Sequence, residues 1–253
     1  MNHIYFSELI LILIITQIYS TNSKLLENTR NLKSKYSEIH LVIQGSGTQD
    51  LVSSSGYSEA DDPSEVYVNN AKRDDCLKTC SLAGTKNDIT LRFENQMASC
   101  SYMFFQQTNI IEVDLSDFDA SKVTSMGGMF NGCTNLEKFT SGNINTPLLE
   151  TMSAVFNKCS SLTSIDISNF DTSKVTTMKE LFKECSKLET INFGNIDTSS
   201  VKTMEGLFYS CTKLVSVDLS KFQTSEVTCM SRMFLSCTSL KYLDLSSFST
   251  PKV

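Results

Sequence analysis

Five of the nine cysteines, Cys133, Cys159, Cys185, Cys211 and Cys237, follow one another at an unbroken 26-residue step. Thiols in such a row could act as metal ligands, redox pairs or nucleophiles. Neighbours one step apart would place their Cα atoms about 5 Å apart, inside disulfide range, but with side chains pointing in parallel rather than at each other. Each of the five lies between an apolar Phe and an apolar Leu. This is the position of a buried free cysteine acting as a small hydrophobe, so the column is read as structural.

Cys76, Cys80 and Cys100 fall outside the column. In an exported chain they are disulfide candidates, with one pair formed and one thiol left over, and the pairing open. A zinc site on the same three lacks a fourth ligand. The chain has two histidines, His3 and His40. That count argues against histidine-based triads and metal sites. No phosphate-binding glycine loop and no Gly-x-Ser-x-Gly string is present. The sequence is therefore read as non-enzymatic, with no cofactor and no metal. A second column, Asp114, Thr140, Asp166, Asn192, Asp218 and Asp244, is acidic in part. It could attract Ca²⁺ or a basic partner, but Thr140 and Asn192 interrupt it, and Ca²⁺ needs six to eight oxygens.

These residues need elements to hold them. The 26-residue step also carries Phe104, Phe130, Phe156, Phe182, Phe208 and Phe234, and Met126, Met152, Met178, Met204 and Met230. A fixed period without insertions implies stacked repeats, each burying its apolar face on its neighbours. Within a repeat, Ile165 and Ile167 alternate with Asp166, which predicts a short strand. The equivalent strands are at 110–115, 136–141, 162–167, 188–193, 214–219 and 240–245. Asp171, Thr172 and Ser173 have turn chemistry. Val175, Met178, Leu181, Phe182 and Cys185 then recur at three- and four-residue steps, which predicts a short amphipathic helix. The expected fold is an α/β solenoid of strand-turn-helix coils with a parallel concave sheet. Repeats two and four depart together, with Ile144 and Ile196 in place of Phe, and Gly142 and Gly194 in place of Ser. A column of Thr146, Thr172, Thr198, Thr224 and Thr250 is expected to satisfy backbone groups at turns.

The string from Ile165 to Leu188, with its Phe-Asp-Thr-Ser-x-Val-Thr-x-Met core, resembles the BspA-type (Treponema-type) leucine-rich repeat, the "surface protein 26-residue repeat". The resemblance covers the chain from about Met97 to Val253. It implies a surface-displayed or secreted interaction or adhesion module with no catalytic residues.

The domain plan is a signal peptide at 1–20, a linker at 21–36, a small β-rich N-terminal cap at 37–95, and repeats at 96–253. The repeats comprise a half-coil, about five full coils and an incomplete last one. The leader rests on the apolar run 9–15, too short to span a bilayer. A net charge of −6 provides no basic footprint for nucleic acid. The expected role is a secreted or cell-surface module that binds a protein or cell-surface ligand. The alternatives are a coat or matrix component assembling end to end, with self-association at an open C-terminal end, or an intracellular scaffold if the leader is retained. No transmembrane segment is expected in this chain. Asp166, Asp218, Asp244, Tyr209 and Tyr242 are the candidate interaction residues, the tyrosines as anchors by residue type.

Overall fold

The computed structural model describes residues 36–55 and 62–253; the expected leader and most of the expected linker lie outside them. Ten strands are present: β1 (Ser37–Gln44), β2 (Gly47–Asp50), β3 (Glu65–Val68), β4 (Ala71–Arg73), β5 (Thr79–Leu82), β6 (Lys86–Phe93), β7 (Ile110–Asp114), β8 (Lys138–Thr140), β9 (Ser164–Asp166) and β10 (Thr190–Asn192). The largest sheet runs β4-β3-β6-β1-β7-β8, with separate pairs β10-β9 and β2-β5.

The N-terminal part is antiparallel. Along β1, Ile39, Leu41 and Ile43 point inward at alternate positions, and Ile89, Leu91 and Phe93 do the same on β6. β1 pairs with β6 on one side and with β7 on the other, antiparallel to both. The edge of the first repeat's strand is thereby covered by a strand of the cap, which removes an exposed pairing edge. β7 then pairs in parallel with β8, and β9 with β10. The fifth and sixth repeats contribute a single parallel bridge, Ser216 to Tyr242, in place of strands.

No helix occurs among the described residues. The expected strand-turn-helix α/β solenoid, and the leucine-rich-repeat coil with it, is therefore incorrect: the molecule is β-rich with mixed sheets. The backbone explains why. In the third repeat the amides of Met178, Glu180, Phe182 and Glu184 donate to Thr203 O, Glu205 O, Leu207 O and Tyr209 O of the next repeat, at 2.7–3.0 Å. The intervening amides of Leu181, Lys183 and Cys185 donate locally, three residues back, to Met178 O, Glu180 O and Phe182 O. A helix would send every amide four residues back within its own segment. Here alternate amides pair across repeats, as in a strand, and the rest close tight turns.

This alternation needs a left-handed residue twice per repeat. The first such position is Gly128, Ala154, Glu180, Gly206 and Arg232, with φ between 55° and 62°; the second is Gly132, Lys158, Glu184, Ser210 and Ser236, with φ between 60° and 84°. Two left-handed residues four positions apart keep apolar side chains at three- and four-residue spacing while forbidding a helix. The periodicity looks helical for that reason.

The core is a spine of phenylalanines. Phe104, Phe130, Phe156, Phe182, Phe208 and Phe234 stack ring on ring at centroid distances of 5.3–6.1 Å and within 17° of parallel. Phe139 meets Phe130 and Phe156 edge-on, and Phe193 does the same to Phe182, Phe208 and Phe222. These two wedges belong to the second and fourth repeats, the ones with Ile144 and Ile196 at the corner. In the fourth repeat Phe193 stands where its neighbours have Ile167 and Leu219 and offsets the smaller Ile196; in the second, Phe139 sits one inward position earlier, and buried Ser141 takes the place of those aliphatics. In the same two repeats Gly142 and Gly194 take φ of 57°, and a Cβ there would come within 2.5 Å of Ser116 and Ser168.

Buried threonines link the repeats at a third place. The Thr172 hydroxyl accepts from Asp197 N at 3.0 Å and donates to Asp197 O at 2.8 Å; Thr146, Thr198 and Thr224 do the same for Asp171, Gln223 and Ser249. One hydroxyl thus satisfies both backbone groups of a residue in the next repeat.

Two substitutions test this backbone. Ala154→Gly should raise stability by about 0.5–1 kcal/mol in chemical denaturation, since it relieves a left-handed alanine; in a helix it would cost about as much. Thr172→Val should cost about 1–3 kcal/mol, because it leaves Asp197 N–H and C=O without their partner. Thr172→Ser should cost less.

Candidate functional site

The cysteine column lies at the inner wall of the turn segment. Cys133, Cys159, Cys185 and Cys211 are fully buried, and Cys237 is half-buried. Each thiol donates to the carbonyl of the Phe one repeat back: Cys133 Sγ to Phe104 O, Cys159 to Phe130 O, Cys185 to Phe156 O, Cys211 to Phe182 O and Cys237 to Phe208 O, at 3.0–3.2 Å. The residue type follows from this bond: an alanine could fill much of the space but has no donor. Burial disfavours the thiolate, pushing Cys133 up to about 12 and raising Cys159, Cys185 and Cys211 as well. None of the five is in a disulfide.

In the cap a disulfide joins Cys76 to Cys80 at the start of β5, and buried Cys100 lies outside that bridge. The ninth cysteine, Cys229, is a different thiol. It stands where the preceding repeats have Thr151, Thr177 and Thr203, in a column of parallel bridges, and is partly exposed. Ser231, whose hydroxyl is 3.4 Å away, holds its pKa below the ordinary thiol value. Its threonine-column position is visible in the sequence, although Cys229 falls outside the 26-residue cysteine register.

The acidic column has a local task. Asp114, Asp166, Asp218 and Asp244 each accept from the amide two residues on, at Ser116, Ser168, Ser220 and Ser246, at 2.8–2.9 Å. These bonds close the turn after each strand and lower the pKa of Asp166, Asp218 and Asp244. Asn192 at the same position turns its amide toward Asp166 Oδ2 at 2.8 Å. The column is thus occupied by turn formation rather than converging on a common point.

Of the two tyrosines, Tyr242 is 74% exposed on the strand face. Tyr209 is partly covered, with the Lys183 ammonium 5.6 Å from its ring centre. They lie on different faces, so the candidate interaction residues form no single site. The strand face itself is a row in which Glu112, Lys138, Ser164, Thr190, Ser216 and Tyr242 replace one another at a constant backbone position, all but Glu112 exposed.

One grouping is not among the sequence expectations. Glu38 and His40 share a face of β1, and Asp117, in the loop after β7, meets them. A low histidine count argues against such a cluster, but this one needs a single histidine. Its legible half is Glu38-x-His40 on a period-2 strand; Asp117 becomes adjacent only through the β1–β7 pairing.

Residues 98–192 and 181–253 match the family described as "Mycoplasma protein of unknown function, DUF285". The match spans more than half of the chain, and the protein belongs to this family. The resemblance to BspA-type leucine-rich repeats is corrected accordingly, since the matching model is this family and no leucine-rich-repeat family matches. No curated protein and no solved structure matches the chain.

The thiols supply a test. Native protein treated with a maleimide at neutral pH should be labelled at Cys229 and spared at Cys133, Cys159, Cys185 and Cys211 until denatured, as read by peptide mapping. The pH dependence follows from the same burial. A thiol raised in the fold stabilises it fully below its unfolded value near 9, and that contribution is lost as pH climbs toward the folded value. The denaturation midpoint should fall from pH 9 upward, and less steeply in a Cys159→Ala/Cys185→Ala variant.

Proposed function

We propose that this protein is a non-catalytic interaction module that works outside the cell and recognises a protein or cell-surface ligand through its strand face. The observation that carries this reading is the row from Glu112 to Tyr242. Around it the Phe, Met, Cys and Thr columns are spent on packing and on backbone hydrogen bonds. The strand-face position changes in charge and size from repeat to repeat while its backbone stays constant, which is how a regular scaffold carries specificity. Tyr242 supplies an exposed aromatic of the type that anchors interfaces. The Cys76–Cys80 bridge supports the extracellular placement, since such bonds persist in oxidising compartments.

The test is binding of the fluorescently labelled chain to intact cells, competed by unlabelled protein. A strand-face variant carrying K138E, T190E, S216E and Y242A should lose at least tenfold in binding with its melting temperature unchanged. A variant altered at Lys174, Lys202 and Glu226, away from that row, should bind as the unaltered chain does. Equal binding by both variants would contradict the reading.

A further inference from the structure

We propose that Glu38, His40 and Asp117 form a divalent transition-metal site, with Zn²⁺ the fitting ion, which ties the cap strand β1 to the loop of the first repeat. The proposal is independent of the interaction reading above.

The geometry points to an ion at the centre of the three groups. His40 Nε2 lies 3.6 Å from Glu38 Oε2 and 3.5 Å from Asp117 Oδ2, and all three ligand atoms fall within 4.8 Å of one another. Both distances are longer than a good hydrogen bond from a ring N–H. They match the separation of neighbouring ligands around a tetrahedral ion, about 3.3–3.5 Å when metal–ligand bonds are about 2.0–2.2 Å.

The surrounding bonds aim these atoms inward. His40 Nδ1 lies 3.0 Å from Thr90 Oγ1, on the neighbouring strand β6. With the ring proton on Nδ1, donated to that hydroxyl, the Nε2 lone pair is left facing the two carboxylates; this is the orienting contact that histidine ligands commonly have. Glu38 is held from its other oxygen, Oε1, by Arg92 Nε at 2.5 Å, which leaves Oε2 facing His40. Asp117 is brought in by the backbone, since Glu38 N donates to Asp117 O at 3.0 Å and Asp119 N donates to Ser37 Oγ at 2.9 Å. The side chains of His40, Glu38 and Asp117 are about two-thirds or more buried, at 35, 20 and 30% exposure.

The donor set selects the ion. One imidazole and two carboxylates suit Zn²⁺ and its first-row neighbours. Three protein ligands fall short of the six to eight oxygens that Ca²⁺ takes. Three ligands also leave a fourth position. His40 lines a polar depression of about 320 Å³ with Asp88, Thr90 and Glu112, and Asp117 lines another of about 520 Å³ with Glu94 and Asp119. The fourth ligand is therefore water or an oxygen of a bound molecule.

The experiment is calorimetric titration of the EDTA-stripped full chain with ZnCl₂, followed by Co²⁺ absorption. One ion per chain should bind and raise the melting temperature by a few degrees, as any ligand of the folded state does. H40Q and D117N should abolish binding, T90V should weaken it about tenfold or more as loss of an orienting contact does, and C229S should leave it unchanged. Far-UV circular dichroism of each stripped variant checks that it folds; should H40Q fail, D117N and T90V still decide. Absence of Zn²⁺ binding by the unaltered chain would overturn the proposal. So would unchanged binding in D117N and T90V, or a thiolate-to-Co²⁺ charge-transfer band, which would place the ion on a cysteine.

Discussion

Every repeat is held to the next by backbone hydrogen bonds that require residue n to face residue n+25 or n+26. Amides at 178, 180, 182 and 184 reach carbonyls at 203, 205, 207 and 209; Thr172 reaches Asp197; Ser164 pairs with Thr190. One inserted residue would put all of these out of step together. A buried backbone group without a partner costs about 1–3 kcal/mol, and an insertion would strand several per repeat. The invariant 26-residue length follows from this constraint. The side-chain columns then follow from the constant backbone: identical environments select Phe for the spine, Met and Leu beside it, and Cys where one Phe carbonyl needs a donor.

The same constraint separates what can vary from what cannot. The second and fourth repeats exchange a corner Phe for Ile and carry Phe139 or Phe193 at two different inward positions nearby, a change of shape within an unchanged frame. The left-handed positions accept Gly, Ala, Glu, Arg, Lys and Ser, because the hydrogen bonds around them over-determine the backbone. Side chains on the strand face answer to none of these demands. A surface with this freedom, on a frame this repetitive, is suited to recognition.

The repeat length, the Phe spine and the alternation of β1 and β6 are all legible in the sequence, because each is a periodicity of apolar residues. The turn segment is misread for a physical reason. A segment with two left-handed residues four positions apart presents Val175, Met178, Leu181, Phe182 and Cys185 inward, as an amphipathic helix would. Only Gly128, Gly132 and Gly206 hint at the difference, and Ala154, Glu180 and Arg232 at equivalent positions hide it. Cross-repeat pairing is what makes this backbone affordable, and pairing between repeats is not a local property of any segment. The Glu38–His40–Asp117 grouping is hidden for a related reason: it is assembled by the antiparallel meeting of β1 and β7. The acidic column is visible as spacing, but its turn-closing bonds to Ser116, Ser168, Ser220 and Ser246 depend on local backbone conformation.

The central claim is that alternate amides of the turn segment pair with the following repeat. Scalar couplings transmitted through hydrogen bonds, measured by NMR on isotopically labelled protein, report donor and acceptor directly. Couplings from Glu180 N to Glu205 C=O, from Phe182 N to Leu207 C=O and from Glu184 N to Tyr209 C=O are predicted. Couplings from Phe182 N to Met178 C=O and from Lys183 N to Lys179 C=O, the signature of a helix, would contradict the account.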